Sequence, residues 1–214
     1  EAIGRGMDAE KAKLLVMEAF ERIQDVPQWQ LRFKLDEFST LLDRAQEWAR
    51  QSEVNQELAG VEIPVGVRVS EEVRIGGYMD RLLRDGEGNY LVVDLKTGRS
   101  KPAKKEGEDH VQLMTYQLAL AHGAFDGHQV HDGEGMPRQG GVLVYPGATT
   151  KKIGELWQSD KSPEALEEFA ALLPPLVEEM RGPRITARTN KDCDKCPIRS
   201  ICPVQEEGRM TTDA

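Results

Sequence analysis

The chain has 214 residues, with 28 basic and 37 acidic side chains, a formal net charge of −9 and 39% hydrophobic residues. This length and composition predict one ordinary globular domain. A membrane-spanning helix needs about 18–20 consecutive apolar residues, and no uninterrupted apolar run in the sequence approaches that length. The sequence pattern therefore argues against a membrane protein. The acidic balance argues against a protein that binds nucleic acid unaided through long-range attraction.

Hydrophobic spacing predicts the elements in chain order. It is helical over residues 8–24 and 28–50, which predicts a helical opening part. Three apolar runs then follow at strand spacing, separated by short turns, over 61–69, 73–84 and 90–95. Because short Gly-bearing turns join antiparallel neighbours, these runs predict an antiparallel meander.

In the second half, the spacing predicts a helix over 111–121, a Gly- and His-rich loop over 123–140 and a strand over 141–146. One amphipathic helix over 163–181 and an irregular tail after Pro183 follow. We therefore predict an α/β fold with a central mixed β-sheet that contains the meander, helices flanking it, and an irregular Cys-bearing tail. We divide the chain into a helical N-terminal part, a core and a tail, 1–60, 61–189 and 190–214. Because Glu1 is not preceded by a methionine, we expect the first part to be truncated at its start.

Two aspartates and a lysine fall at the ends of neighbouring predicted strands. Asp80 lies near the end of the second strand of the meander, and Asp94 and Lys96 share one face at the end of the third. If the strands pair, Asp80 comes opposite Asp94, and two adjacent carboxylates favour a divalent cation between them. The lysine would offset the charge that develops on phosphorus in phosphodiester hydrolysis. The alternative is a solvated strand edge with an ordinary salt bridge.

Two features point to the same place. Gln112 and Tyr116 are four residues apart on the next predicted helix, so they share one face. The stretch from 96 to 105 contains five basic residues and no acidic one: Lys96, Arg99, Lys101, Lys104 and Lys105. A basic run beside a metal site is suited to holding phosphates, although such a run alone is also typical of a solvated loop.

All three cysteines, Cys193, Cys196 and Cys202, lie within ten residues of one another. An odd number in one short cluster does not suit a disulfide framework and indicates a metal role in a reducing, cytoplasmic compartment. The spacing leaves an iron–sulfur cluster, structural zinc and three buried thiols open as alternatives.

Three ordered segments carry a resemblance: Gly-Tyr-Met-Asp-Arg at 77–81, Val-Asp-Leu-Lys-Thr-Gly at 93–98 and Gln-Leu-Met-Thr-Tyr at 112–116. With the Cys tail, they resemble the motif set of the PD-(D/E)XK nucleases of the RecB type over roughly residues 60–205. These are the C-terminal nuclease domains of bacterial helicase-nucleases of the AddB and AdnB kind. The resemblance implies a restriction-endonuclease-like core and a metal-dependent deoxyribonuclease, an exonuclease acting in double-strand-break processing and recombinational repair.

The resemblance also implies roles. Asp80, Asp94 and the carbonyl of Leu95 would bind Mg²⁺ or Mn²⁺, Lys96 would be the catalytic lysine, and Gln112 and Tyr116 would orient the DNA. Arg99, Lys101, Lys104 and Lys105 would contact DNA, and the three cysteines would ligate a [4Fe–4S] cluster with a fourth Cys outside this chain. The implied partners are single-stranded DNA, an ATP-binding helicase domain of the same parent chain and a partner helicase-nuclease subunit.

One feature departs from the family pattern. The family usually has a metal-binding His on a helix well before the first strand, whereas the four histidines here come later: His110, His122, His128 and His131. We expect the missing His to lie upstream of Glu1, which would weaken metal binding and could leave this fragment inactive even if the parent protein is active. Two alternatives stay open, a catalytically silent nuclease fold that serves as a DNA-binding or docking module, and a free-standing nuclease of the CRISPR-adaptation kind.

Overall fold

The computed structural model describes residues 6–100, 102–122, 124–125, 128–129, 135–148, 150, 152–183 and 186–209. The chain forms two compact units, Glu1–Ala171 and Leu172–Ala214. None of the helices in the described ranges combines the length and the hydrophobicity needed to cross a bilayer.

The first unit is built on one mixed sheet, in which the described residues form seven strands in the order β5-β4-β1-β2-β3-β6-β7. All neighbours are antiparallel except β3 and β6, which are parallel. The predicted mixed sheet with its antiparallel meander is confirmed. The strands are β1 (Glu57–Arg68), β2 (Arg74–Arg84), β3 (Tyr90–Leu95), β4 (Ala124–Phe125), β5 (His128–Gln129), β6 (Arg138–Tyr145) and β7 (Gly154–Gln158).

Helices cover both faces of this sheet, as predicted. The helices of the unit are α1 (Ala9–Ile23), α2 (Gln28–Ser52), α3 (Val111–His122) and α4 (Pro163–Ala171). On one face, Leu113 and Leu120 of α3 join a buried cluster that includes Val92, and on the other face Trp48 of α2 packs with Val93. Because both faces are covered, the central strand β3 is a continuous apolar run and not an alternating one. Burying each such side chain contributes about 1.5–3 kcal/mol.

The turn between β2 and β3 sets the register that places the site. The Asp85 carboxylate accepts hydrogen bonds from the backbone N–H groups of Glu87 and Asn89, and Gly88 adopts a φ of 89° that favours glycine. The register then runs from Arg84 opposite Tyr90 to Arg81 opposite Val93. One step further along the same register, Asp80 comes opposite Asp94, as the sequence predicts.

Three predictions about the second half are wrong. Within the predicted loop over 123–140, the described residues include the short strands β4 and β5 and the first residues of β6. Strand β7 was not predicted, because its five residues are too few for a clear alternation. The single helix predicted over 163–181 is two helices, α4 and α5 (Leu173–Arg181), since Pro174 and Pro175 cannot donate the backbone hydrogen bonds of a continuous helix.

The second unit contains α5, two 3₁₀ turns at Cys193–Lys195 and Arg199–Ile201, and the short helix α6 (Glu206–Arg209). The cysteines lie in and after these turns. Much of the described tail is irregular, in agreement with the prediction.

Candidate active site

Asp94 is the last buried residue of strand β3 and the centre of a hydrogen-bond network that reaches α3. Gln112 Nε2 donates to Asp94 Oδ1 at 2.6 Å, and Lys96 Nζ donates to Gln112 Oε1 at 2.6 Å. Lys96 Nζ also lies 2.7 Å from Asp94 Oδ2. The aspartate, the lysine and the glutamine therefore hold one another in place, although they come from two elements.

Tyr116 lies one helical turn after Gln112 and extends the network. Its hydroxyl accepts a hydrogen bond from Gln112 Nε2 at 2.9 Å and donates to the backbone carbonyl of Tyr78 at 2.9 Å. Burial raises the pKa of the Tyr116 phenol, so the hydroxyl stays protonated and can donate. The structure thus brings the two predicted helix residues together on one face, directed at Asp94.

Asp80 joins the site from β2. Its Oδ2 accepts a hydrogen bond from the backbone N–H of Leu95 at 2.8 Å. Burial is the main cause that raises the pKa of Asp80, and the charges of Asp94 and Glu62 act in the same direction against the Leu95 hydrogen bond. A cation placed beside Asp80 and Asp94 would stabilise the charged form of the Asp80 carboxylate.

The donor set suits an oxygen-coordinated divalent cation. Asp94 Oδ2 is buried and receives no hydrogen bond, because Lys96 Nζ approaches it outside hydrogen-bonding geometry. No group of three or more His, Cys, Asp or Glu side chains converges within the described residues. Mg²⁺ tolerates such a site, because it is commonly held by one or two carboxylates and keeps several of its waters. Asp80, Asp94 and the Leu95 carbonyl are the residues that would hold it.

Comparison with known proteins identifies the family of the chain. A family profile described as the PD-(D/E)XK nuclease superfamily matches residues 3–203. The chain belongs to the PD-(D/E)XK nuclease superfamily. Membership implies nuclease chemistry and confirms the restriction-endonuclease-like core. The crystal structure of SSO0001 is similar at 18% sequence identity and a TM-score of 0.43, with 92% of this chain and 78% of that chain covered, a likeness too distant to support an inference about activity. No curated protein sequence matches significantly.

The basic residues of this PD-(D/E)XK nuclease do not gather at the site. Arg99 forms an ion pair with Glu37 of α2. Lys104 and Lys105 are exposed on a 3₁₀ turn, and Lys101 lies outside the described residues. Within the described part, none of the three placed side chains joins the network around Asp94, so their role in binding DNA stays a prediction.

Two residues near the site were not predicted. Glu62 of β1 lies opposite Asp80, between the pairs Val61–Arg81 and Ile63–Met79, and has a φ of 50° that is unusual for a residue with a side chain. His110 precedes α3, and its buried Nδ1 has no hydrogen-bond partner among the residues that the structure describes. Burial, followed by the charge of Lys96, lowers the pKa of His110. The position of His110 two residues before Gln112 was a usable signal, whereas Glu62 could be found only from the strand register.

The three cysteines are free and partly buried. The backbone N–H of Asn190 donates to Cys193 Sγ at 3.1 Å. Within the described residues they do not form a group of three side chains that could hold a metal ion.

Proposed function

We propose that this chain is a Mg²⁺- or Mn²⁺-dependent deoxyribonuclease domain that cleaves single-stranded DNA. The observation that carries the proposal is the convergence of two carboxylates and an ammonium group where the C-terminal end of β3 lies beside β2, supported by superfamily membership. A bound metal would supply an activated water and polarise a phosphoryl oxygen.

The chain's own residues would each have a defined task. Asp80, Asp94 and the Leu95 carbonyl hold the cation, and Lys96 offsets negative charge that develops on the phosphate. Gln112 contacts both Asp94 and Lys96, and Tyr116 contacts Gln112. Gln112 and Tyr116 therefore fix the orientation of the Asp94 carboxylate and the Lys96 ammonium group. Such fixed orientation matters because small displacements of catalytic groups are costly in rate.

The test is cleavage of a labelled single strand with Mg²⁺ or Mn²⁺ present. We expect Asp94→Asn and Lys96→Gln each to lower the rate by about 10²–10³-fold, the cost typical of removing one group that stabilises a transition state. Asp43→Asn is the matched control, because Asp43 is an exposed acid of α2 whose ion-pair partner is Lys13 and not a residue of this network. Cleavage by Asp94→Asn at the rate of the unchanged chain would show that the proposal is wrong.

We further propose that the nuclease acts as an exonuclease within a cytoplasmic helicase-nuclease during double-strand-break processing and recombinational repair. The ordered motifs support this, and so does the net charge of −9, which leaves DNA affinity to an attached helicase domain or a partner subunit. In the whole protein, Asp94→Asn should block ATP-dependent degradation of linear DNA and leave unwinding intact. Loss of unwinding in that variant would contradict the division of labour.

For the tail, we propose that the three cysteines ligate a [4Fe–4S] cluster in the whole protein, with a fourth ligand from outside this chain. The support is their spacing together with the resemblance to the RecB-type nucleases, since the spacing by itself also suits structural zinc. Anaerobic purification of the whole protein, followed by its visible absorption spectrum and iron analysis, tests this directly. A colourless protein that contains zinc would favour the structural-zinc alternative.

A second function has a specific observation in its favour. Gln112 and Lys96 already engage both oxygens of Asp94, and no third metal-binding side chain joins Asp80 and Asp94 in the described residues. A catalytically silent DNA-binding or docking module would have such a site, in which the chain's own lysine compensates the charge of Asp94 in place of a metal ion. Titration calorimetry with Mn²⁺ separates the two functions, since retained single-strand binding without any metal binding would favour the silent module.

A further inference from the structure

A cleft of about 500 Å³ lies beside the proposed active site, within the first unit. Its walls come from α1 and α2, and its floor comes from the segments that follow β3 and β6. The two floor segments touch, because a Cβ at Gly147 would be 2.9 Å from the carbonyl oxygen of Thr97. Since Thr97 directly follows Lys96, the floor is continuous with the strand that carries the proposed catalytic lysine. The volume lies within the roughly 300–1,000 Å³ typical of small-ligand sites.

The cleft concentrates positive charge in an acidic chain. Arg44 donates through Nη1 to the carbonyl oxygen of Ala148 at 2.6 Å and through Nη2 to that of Thr150 at 3.0 Å. Lys34 Nζ donates to Gln24 Oε1 at 3.1 Å. Both cations are therefore held by neutral acceptors, and neither forms an ion pair within the described part of the chain.

Arg99 also lines the cleft, and its partner Glu37 is the one carboxylate among the described residues that line it. Three cationic groups and one carboxylate leave a net positive cleft. Because a concave, partly water-excluding surface concentrates the field of its charges, such a cleft attracts an anion more strongly than exposed lysines do. Guanidinium and ammonium groups with free N–H donors match phosphate oxygens.

The wall next to these cations is aromatic. Phe20 of α1 and Phe38 of α2 stack with ring centroids 4.0 Å apart and an interplanar angle of 18°. Both rings line the cleft, and both are only partly buried. A cationic group next to an aromatic wall is the combination that binds single-stranded nucleic acid, since the cation takes the phosphate and the ring takes the base.

We propose that this cleft binds one nucleotide of the substrate strand, with its phosphate on Lys34 and Arg44 and its base against Phe38. The inference rests on the proposed nuclease function and adds a second contact point to it. A strand that continues from the cleft over Thr97 reaches Lys96, so occupation of the cleft would position the scissile phosphate. Neither Lys34, Arg44 nor Phe38 belongs to the three sequence motifs.

Binding is measured separately from cleavage, by fluorescence anisotropy of a labelled single-stranded oligonucleotide in EDTA, in the Asp94→Asn background. We expect Lys34→Gln to raise Kd about tenfold, as for loss of one charge-assisted contact. We also expect it to reduce the slope of log K against log salt by about 0.7, the value for one phosphate contact on a single strand. Lys34→Arg should restore both quantities, and Phe38→Leu should weaken binding without changing the slope.

The matched control is Arg50→Gln, which removes an exposed cation at the far end of α2 that pairs with Glu47. Thermal unfolding of each variant confirms that it is folded. Circular single strands and 5′-phosphorylated linear strands distinguish an internal phosphate from a terminal one. Equal affinity for both indicates an internal phosphate, and preference for the phosphorylated end indicates a terminal one.

The outcomes separate the two proposals. If the unchanged chain cleaves DNA and Lys34→Gln binds with the same Kd and slope, the cleft proposal is wrong and the nuclease proposal stands. If no cleavage occurs but Lys34→Gln weakens binding as expected, the cleft is supported and the nuclease proposal fails. The absence of any single-strand binding by the Asp94→Asn chain overturns the cleft proposal.

Discussion

Removal of the Lys96 ammonium is the most informative change to the site. Lys96→Met keeps a long apolar stem and removes the charge that lies 2.7 Å from Asp94 Oδ2. The Asp94 side chain is 3% exposed, so without a bound metal the substitution leaves a buried carboxylate that has no other ion-pair partner in the described part of the chain. It also removes the donor to Gln112 Oε1.

The expected cost follows from burial. Breaking a fully buried ion pair typically costs about 3–5 kcal/mol, because the remaining charge stays desolvated. The Lys96 side chain is 32% exposed, so solvent already screens part of the interaction and the expected loss is about 3 kcal/mol. For a chain of this size, each kcal/mol of lost unfolding free energy lowers Tm by roughly 2–4 °C, so we expect Tm to fall by roughly 6–12 °C.

The assay is thermal and urea unfolding of the chain in EDTA at neutral pH, followed by circular dichroism. Asp94→Asn/Lys96→Met completes a double-mutant cycle, and we expect the double variant to be more stable than Lys96→Met because the amide carries no charge. Mg²⁺ or Mn²⁺ should then stabilise Lys96→Met more than the unchanged chain, since the added cation replaces the lost one.

Two results would refute this reasoning. One is a Lys96→Met chain as stable as the unchanged chain in EDTA, which would mean that Asp94 is not held by the lysine. The other is a loss of unfolding free energy in the double variant that exceeds the sum of the losses in the two single variants. Such a result would show that the interaction between the two side chains is not favourable.

Three more predictions follow from the site. Asp80→Asn should be more stable than the unchanged chain at neutral pH without metal, because burial raises the pKa of Asp80 in the folded state and so makes its charged form costly there. The difference in stability should vanish below about pH 4, where the carboxyl group is protonated in both the folded and the unfolded chain. Tyr116→Phe should cost about 1–2 kcal/mol in unfolding experiments, since the Tyr78 carbonyl loses its donor, and should lower kcat more than it raises KM. Gly147→Ala should destabilise the chain by about 1–3 kcal/mol and slow cleavage, because its Cβ would press on the Thr97 carbonyl beside the active site.

Each prediction has a result that contradicts it. For Asp80→Asn, this is a stability gain that persists unchanged into acid. For Tyr116→Phe, it is full stability and unchanged kcat, and for Gly147→Ala it is a chain with normal Tm and normal cleavage. Gly86→Ala is the control for the glycine change, because a Cβ there meets nothing within 4 Å.

Local patterns in the sequence were sufficient for much of the fold. Helices α1, α2 and α3 and the meander β1–β3 were predictable because their apolar residues recur at a regular period over many positions. The Asp85 turn made the opposition of Asp80 and Asp94 predictable as well, since a short hairpin turn sets the register of its strands. Strand β7 and the break between α4 and α5 were missed because a short strand has no clear period and because proline acts locally within a helical pattern.

The contacts of the site depended on the tertiary structure. The order of the motifs predicted that Asp94, Lys96, Gln112 and Tyr116 lie near one another. Only the packing of α3 on β3 determines that Gln112 forms hydrogen bonds with both the aspartate and the lysine. The cleft beneath α1 and α2 was not predictable, because Lys34 and Thr97 are far apart in the chain and meet only through the packing of helices on strand ends. Spacing along the chain determines which side chains share a face of one element, whereas contact between elements depends on how their apolar surfaces are buried.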